Sequence, residues 1–218
     1  LGIDDKEAFE ALAESTISEF ADYIETGKTK VIKELDSPDA LLWFVWALQQ
    51  YYYTVDPMQM QKDLLMSAVD IVDYIMQGKH PNLKLDENGL VRIDGTFVPM
   101  TWMNATEDGK PITPRTGYVV EINALWYNAL RFAAMLVESP AWEEMAAKTA
   151  ESFVNTFWNG LYLYDYVNGE YKDVEVRPNM ILAVSMRYSP LGIKQQKSVL
   201  AVCTRELLTT KGLRSLSP

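Results

Sequence analysis

The side chains best suited to chemistry lie in a long loop over positions 95–118, rich in proline and glycine, and just after it. Trp102, Asn104 and Arg115 lie in this loop, and Glu121 follows near the start of a predicted helix. Aromatic faces stack on sugar rings, while amides, guanidinium groups and carboxylates hydrogen-bond to hydroxyls. Glycoside cleavage needs two carboxyl groups, one on each side of the bond. The loop therefore suits a neutral carbohydrate ligand.

Several other classes of function are excluded by what the chain lacks. It has no glycine-rich phosphate loop and no Gly-x-Ser-x-Gly motif, so no nucleotide cofactor or serine hydrolase of that type is expected. A single histidine, His80, and a single cysteine, Cys203, predict neither a metal site nor a disulfide framework. The formal net charge of −10 disfavours nucleic acid and anionic membranes as partners. We therefore expect no cofactor, no metal, no nucleic acid and no membrane.

Each candidate residue also has a purely structural interpretation. Asp39 and Glu121 lie near helix starts, where a carboxylate also stabilises the helix dipole. Trp43 and Trp126 lie in apolar helical stretches, where core packing is the commoner role. Trp102 lies in the loop and is the better candidate for stacking on a sugar. Cys203 lies in an apolar stretch and is expected to be buried.

The elements that position these residues are predicted to be helical. Apolar periodicity predicts seven helices, over about residues 7–25, 40–53, 58–76, 119–137, 140–158, 178–186 and 195–208. Asn88-Gly89 and Asn168-Gly169 predict two small β-hairpins in the loops. Helix pairs with functional loops at one end favour an all-α fold, part of an (α/α)6 toroid. A complete toroid has about twelve helices, so we expect residues 1–218 to be part of one domain, truncated at both ends.

Three segments in the same order carry a resemblance to a known family. They are Thr101-Trp102-Met103-Asn104, Lys110-Pro111-Ile112-Thr113-Pro114-Arg115-Thr116-Gly117 and Val120-Glu121-Ile122-Asn123-Ala124-Leu125-Trp126-Tyr127-Asn128-Ala129-Leu130. Together they closely resemble the signature of the amylo-α-1,6-glucosidase domain of glycogen debranching enzymes. Similar supporting segments are Pro38-Asp39-Ala40-Leu41-Leu42-Trp43-Phe44, Arg177-Pro178-Asn179-Met180 and the stretch from Arg205 to Pro218.

The resemblance implies an (α/α)6 toroid that hydrolyses the α-1,6-linked glucose left at a branch point of glycogen or a related α-glucan. It also implies an inverting mechanism with a general acid and a general base. The family usually has its acid, an Asp, where this chain has Asn104, and an amide cannot donate that proton. Glu121 is the first alternative acid and Asp86 the second. The base is expected beyond Pro218, so this chain alone is expected to be inactive.

The residue types and the family resemblance together predict a set of site residues. Catalysis is assigned to Glu121 and to the position of Asn104. Substrate binding is assigned to Asp39, Trp43, Trp102, Arg115, Asn123, Trp126, Arg177 and Asn179. The expected partner is an α-glucan or oligosaccharide, with self-association through exposed faces of the incomplete toroid and a cytoplasmic location.

Three other interpretations remain open. A non-catalytic α-glucan-binding module would bind oligosaccharides without releasing glucose. A different toroid glycosidase, of the glucoamylase or trehalase type, would differ in its substrate profile. A helical interaction scaffold would bind no oligosaccharide at the long loop.

Overall fold

Helices form most of the structure. The computed structural model of the protein describes residues 5–26 and 37–218. In this part of the chain the helices are α1 (Lys6–Thr26), α2 (Ala40–Thr54), α3 (Lys62–Met76), α4 (Val120–Val137), α5 (Pro140–Phe157), α6 (Leu182–Ser185) and α7 (Ile193–Glu206). Short 3-10 helices at Pro57–Gln59 and Pro178–Ile181 precede α3 and α6. The seven predicted helices are thus confirmed, with boundary shifts of a few residues.

The helices pack around α4. Helix α4 contacts both α2 and α6, while α3 and α5 pack against α4. Helix α1 packs on α3, and α7 packs on α6. The side chains of α4 from Val120 to Leu130 are buried, which requires neighbours on several sides. Helix α4 therefore lies at the centre of the helical packing. The described chain is mainly helical, as predicted.

The β structure is more extensive than the two predicted hairpins. The main strands are β1 (Lys84–Leu85), β2 (Val91–Gly95), β5 (Arg115–Val119), β6 (Tyr166–Asn168) and β7 (Tyr171–Lys172). They form one antiparallel sheet in the order β1-β2-β5-β6-β7. Two further hairpins pair β3 (Thr106–Glu107) with β4 (Lys110–Pro111), and β8 (Leu208–Thr209) with β9 (Gly212–Leu213).

Strand β5 joins the two predicted hairpins. It pairs with β2 on one side and with β6 on the other. The turns were placed correctly: Gly89 (φ 84°) follows Asn88 in the first, and Gly169 (φ 60°) follows Asn168 in the second. The prediction of isolated hairpins is corrected, because residues 115–119 form a strand inside what was expected to be an irregular loop. Gly117, at φ 89°, interrupts the alternation that would have revealed this strand.

The core divides into two clusters around α4. The larger cluster joins α2, α3 and one side of α4, and includes Leu41, Ile71 and Trp126. The smaller joins α5, α7 and the other side of α4, and includes Phe153 and the predicted buried thiol of Cys203. Among the helices of residues 5–26 and 37–218, none combines the length and apolar character needed to cross a membrane.

Candidate carbohydrate-binding site

Arg115 and Glu121 form the centre of the candidate site. Arg115 is the first residue of β5, and Glu121 lies in the first turn of α4, which follows that strand directly. The guanidinium group donates from Nη1 to Glu121 Oε1 and from Nη2 to Oε2, the second at 2.6 Å. Arg115 is 2% exposed and Glu121 is 1% exposed. The pair is therefore a bidentate ion pair enclosed by protein.

Asp165 is the second anionic partner of Arg115. Its Oδ2 lies 2.8 Å from Arg115 Nε, and its Oδ1 accepts from Nη2 at 3.1 Å. Pairing of β5 with β6 brings Asp165 close, since this residue immediately precedes β6 and its carbonyl accepts from Val120 N at 3.0 Å. Asp165 is 2% exposed. One guanidinium group thus bridges two buried carboxylates.

The charged groups in this cluster shift one another's pKa values. Burial alone would lower the pKa of the Arg115 guanidinium, but Glu121 and Asp165 together raise that pKa overall. Burial raises the pKa of the Asp165 carboxyl group, and the negative charge of Glu121 adds to this, while Arg115 opposes it. The network depends on Arg115, because removing its charge would leave two like charges buried side by side.

Arg177 and Asn179 complete the buried network. Asn179 donates from Nδ2 to Asp165 Oδ1 at 2.6 Å, and Arg177 Nε lies 3.7 Å from Asp165 Oδ2. Pro178 begins the 3-10 turn between them, which places both side chains at the N-terminal end of the segment leading into α6. The two residues expected from the Arg-Pro-Asn segment are therefore brought to Arg115.

Trp102 lies at the surface above this network. Trp102 is 48% exposed, while its Nε1–H donates to Asn179 Oδ1 at 2.9 Å. Thr101 is buried, and its hydroxyl oxygen accepts from Arg115 Nη1 at 3.4 Å. Asn104 follows two residues after Trp102 and is exposed to solvent. The exposed indole is thus supported from below by buried polar groups.

Asp39 approaches the same site from the start of α2. It occupies the N-cap position of that helix, and its Oδ1 accepts from Ser37 Oγ at 2.9 Å. The backbone N–H of Trp102 lies near this carboxyl group. Burial raises the pKa of Asp39, the hydrogen bond from Ser37 opposes this, and the charge of Glu121 raises the pKa further, while the Trp102 N–H slightly lowers it. The starts of α2, α4 and α6 therefore meet at one place.

Three expected site residues form no side-chain hydrogen bond to the Arg115 network. Asn123 is fully buried and pins β2 to α4, accepting from Val91 N at 2.8 Å and donating to Val91 O at 2.9 Å. Trp126 is fully buried too, with Nε1 donating to Gly89 O at 3.0 Å, so it exposes no ring face to a ligand. Trp43 is half-buried and lines a cleft of about 600 Å³ between α2 and α6, one helical turn beyond Asp39.

The two alternative acids differ in their surroundings. Both oxygens of Glu121 accept from Arg115, as described above. Asp86 lies on the sheet, where its Oδ2 accepts from Tyr118 Oη at 2.8 Å and its Oδ1 from Arg92 Nε at 3.1 Å. The catalytic role of Glu121 stays a prediction, and in this geometry it would require Glu121 to release Arg115.

Asp165 and Thr101 are the site residues that inspection of the sequence missed. Asp165 lies between Tyr164 and Tyr166 in an alternating segment, a pattern typical of a surface strand position. The sequence carries one signal: Asp165 is the only charged residue in the apolar and aromatic segment 161–167. Over the described ranges, no cluster of three metal-binding side chains occurs. The arrangement thus provides an aromatic face and fixed charges, the groups that bind a neutral polyhydroxylated ring.

Comparison with known proteins agrees with this description. A family model described as amylo-alpha-1,6-glucosidase matches residues 6–218. No curated protein matches the chain. The match spans both core clusters, the sheet and every residue of the Arg115 network, and it confirms the resemblance to a domain of glycogen debranching enzymes. The chain therefore belongs to the amylo-α-1,6-glucosidase family.

Proposed function

We propose that this domain acts in the hydrolysis of α-1,6-glucosidic branch linkages in glycogen or a related α-glucan, as part of a longer enzyme. The observation that carries the proposal is the exposed Trp102 indole above the buried Arg115–Glu121–Asp165 network. Membership in the amylo-α-1,6-glucosidase family supports the same reaction.

Substrate binding is assigned to the exposed and partly exposed residues around the buried network. The indole of Trp102 would stack on the apolar face of a glucose ring. Asp39 would accept a hydrogen bond from a sugar hydroxyl, since its carboxyl group is only partly buried. Arg177, whose side chain is 13% exposed, would donate to another hydroxyl. Arg115 would act from below by holding the network in place.

The protonation step is where this chain departs from its family. Inverting hydrolysis needs a carboxylic acid to protonate the leaving oxygen and a carboxylate to activate water. Asn104 has no such proton, and Glu121 is held by Arg115. We therefore propose that the domain binds glucan well and that protonation of the leaving group limits its hydrolysis.

The test is release of free glucose from a limit dextrin that carries single α-1,6-linked glucose stubs. The enzyme that contains this domain should release glucose slowly from the dextrin and none from a linear maltooligosaccharide. The proposal would be contradicted by folded protein that releases no glucose and binds neither the limit dextrin nor the linear maltooligosaccharide. Glu121→Gln, assayed in parallel, should lower the rate by a factor of about 10²–10⁴ if Glu121 supplies the proton.

A second candidate is a non-catalytic α-glucan-binding module. Asn104 favours it, because the position that carries the family's acid is an amide. Binding of the dextrin without glucose release, even at high enzyme concentration, would support the module over the hydrolase. Calorimetric titration and the glucose assay on one preparation would separate the two.

We also propose that α2, α4 and α6 are three inner helices of an (α/α)6 toroid. The contacts of α4 with both α2 and α6 support this arrangement, as do Asp39, Glu121 and Asn179, which lie at or just before the starts of the three helices. In the toroid, α3, α5 and α7 would form part of the outer ring. A structure of the whole enzyme with these three helices outside a closed inner ring would contradict it.

A further inference from the structure

We infer that Asn179 and Asp165 are positioning residues that hold the Trp102 indole in place as the surface on which a sugar ring stacks. This inference rests on the proposed function, since it takes an α-glucan as the ligand. It gives Asn179 a role different from direct substrate binding. It also gives a role to Asp165, which inspection of the sequence did not identify.

The connection from Asp165 to Trp102 is short and continuous. Asp165 Oδ1 accepts from Asn179 Nδ2 at 2.6 Å, and Asn179 Oδ1 accepts from Trp102 Nε1 at 2.9 Å. Asn179 and Asp165 are each 2% exposed, whereas Trp102 is 48% exposed. A surface side chain is thus tied through one buried amide to a buried carboxylate.

The chemistry of the three groups fixes the direction of both hydrogen bonds. An ionised carboxylate only accepts, so the amide must turn its NH₂ towards Asp165. The amide oxygen is then left for Trp102, whose indole can only donate. Asn179 has one further contact, from Nδ2 to the sulfur of Met103 at 3.3 Å. Its amide oxygen and nitrogen are therefore both occupied by protein.

The backbone around Trp102 is held independently. The Asp39 carboxyl group lies near the N–H of Trp102, and Met103 N, the next backbone donor, hydrogen-bonds to Thr101 Oγ1 at 3.2 Å. The same hydroxyl accepts from Arg115. Fixed at both backbone and indole, Trp102 loses little conformational entropy when a ring stacks on it, and such preorganisation favours binding.

The experiment follows the indole N–H resonance of Trp102 by ¹⁵N–¹H NMR, assigned with Trp102→Phe, in the intact protein. Asn179→Leu removes the acceptor, and Asp165→Asn keeps the size but removes the charge. Asn128→Leu is the matched control, because Asn128 is 1% exposed and hydrogen-bonds with Gln49 at 3.2 Å, away from Trp102. Maltoheptaose is titrated into each variant, and thermal melts establish that each is folded.

We expect Asn179→Leu to shift the indole resonance, speed its exchange with solvent and weaken maltoheptaose binding by about tenfold. Asp165→Asn should have the same three effects to a smaller extent, and Asn128→Leu should have none of them. An unchanged indole resonance in Asn179→Leu overturns the inference. So does a shifted resonance with undiminished affinity. If maltoheptaose does not bind even the natural protein, the sugar-stacking role is contradicted, whereas the proposed function fails only if the limit dextrin is neither bound nor cleaved. The indole shift of the free protein then shows whether the hydrogen bond between Trp102 and Asn179 exists.

Discussion

Arg115 donates to both carboxylate oxygens of Glu121 across only five intervening residues, in a place from which solvent is almost excluded. A strand that leads directly into a helix makes this possible, because the chain turns back on itself between β5 and α4. The same guanidinium group reaches Asp165, fifty residues later. The family signature thus contains a structural centre as well as ligand-facing residues.

Arg115→Met should destabilise the fold by about 3–5 kcal/mol, because it leaves Glu121 and Asp165 buried without their cation. Urea unfolding at neutral pH measures this loss. Arg205→Met is the control, since Arg205 pairs with Glu206 at 2.5 Å while the two side chains are 63% and 34% exposed. It should cost less than about 1 kcal/mol. Equal losses would mean that the buried network contributes no more than a surface pair.

Gly117→Ala should disturb the sheet that carries Arg115 and Asp165. Gly117 has φ 89°, and a Cβ there would overlap the carbonyl oxygen of Val167 on β6. Gly160 has φ 100° and open space around the same position. The backbone conformation costs about 1–2 kcal/mol for alanine at either site. Calorimetric melting should show a clearly larger loss for Gly117→Ala, whereas equal losses would mean that β6 shifts freely.

His80 should make the fold sensitive to acid. Burial lowers its pKa to about 4, and its Nδ1 accepts from Asn82 N at 3.2 Å. The unfolded value is about 6.5, so the unfolded state binds the proton first as the pH falls. The stabilisation is therefore present above about pH 6.5 and is lost progressively as the pH falls towards 4.

Protonation of His80 in the unfolded state should lower the free energy of unfolding by about 1.4 kcal/mol at pH 5.5 relative to pH 7.5. His80→Asn keeps an acceptor for Asn82 N and cannot be protonated in this range. Urea unfolding at the two pH values should show a smaller pH-dependent loss for His80→Asn than for the natural protein. Stopping at pH 5.5 keeps the protein above its isoelectric point of about 4.7. Parallel losses in the two proteins would show that His80 is not the sensitive group.

Asn104→Asp should increase glucose release from a limit dextrin. The substitution supplies a carboxyl group where an amide cannot donate a proton, and a positioned general acid contributes a factor of about 10²–10⁴. Asn104→Ser, which is small and polar but does not act as an acid, is the control and should leave the slow rate unchanged. An Asn104→Asp variant that binds dextrin normally but is no faster would show that another group already supplies the proton.

The helices of this fold could be predicted from the sequence because their apolar faces are long and regular, as in α4. Strand β5 could not, since Gly117 breaks its alternation and its partners come from two distant hairpins. The site could be predicted in part. Arg115, Glu121 and Trp102 lie close together in one recognisable signature, whereas the role of Asp165 depends on pairing between β5 and β6. The burial of Trp126 and Asn123 likewise follows from tertiary packing around α4.

The most direct measurement is calorimetric titration of the protein with a maltooligosaccharide that carries one α-1,6-linked glucose, compared between the natural chain and Trp102→Ala. We expect saturable binding to the natural chain, a preference for the branched over the linear oligosaccharide, and affinity lowered about tenfold by Trp102→Ala. Binding that is absent from the folded natural chain, or that Trp102→Ala leaves unchanged, would contradict the assignment of an α-glucan site at Trp102 and Arg115.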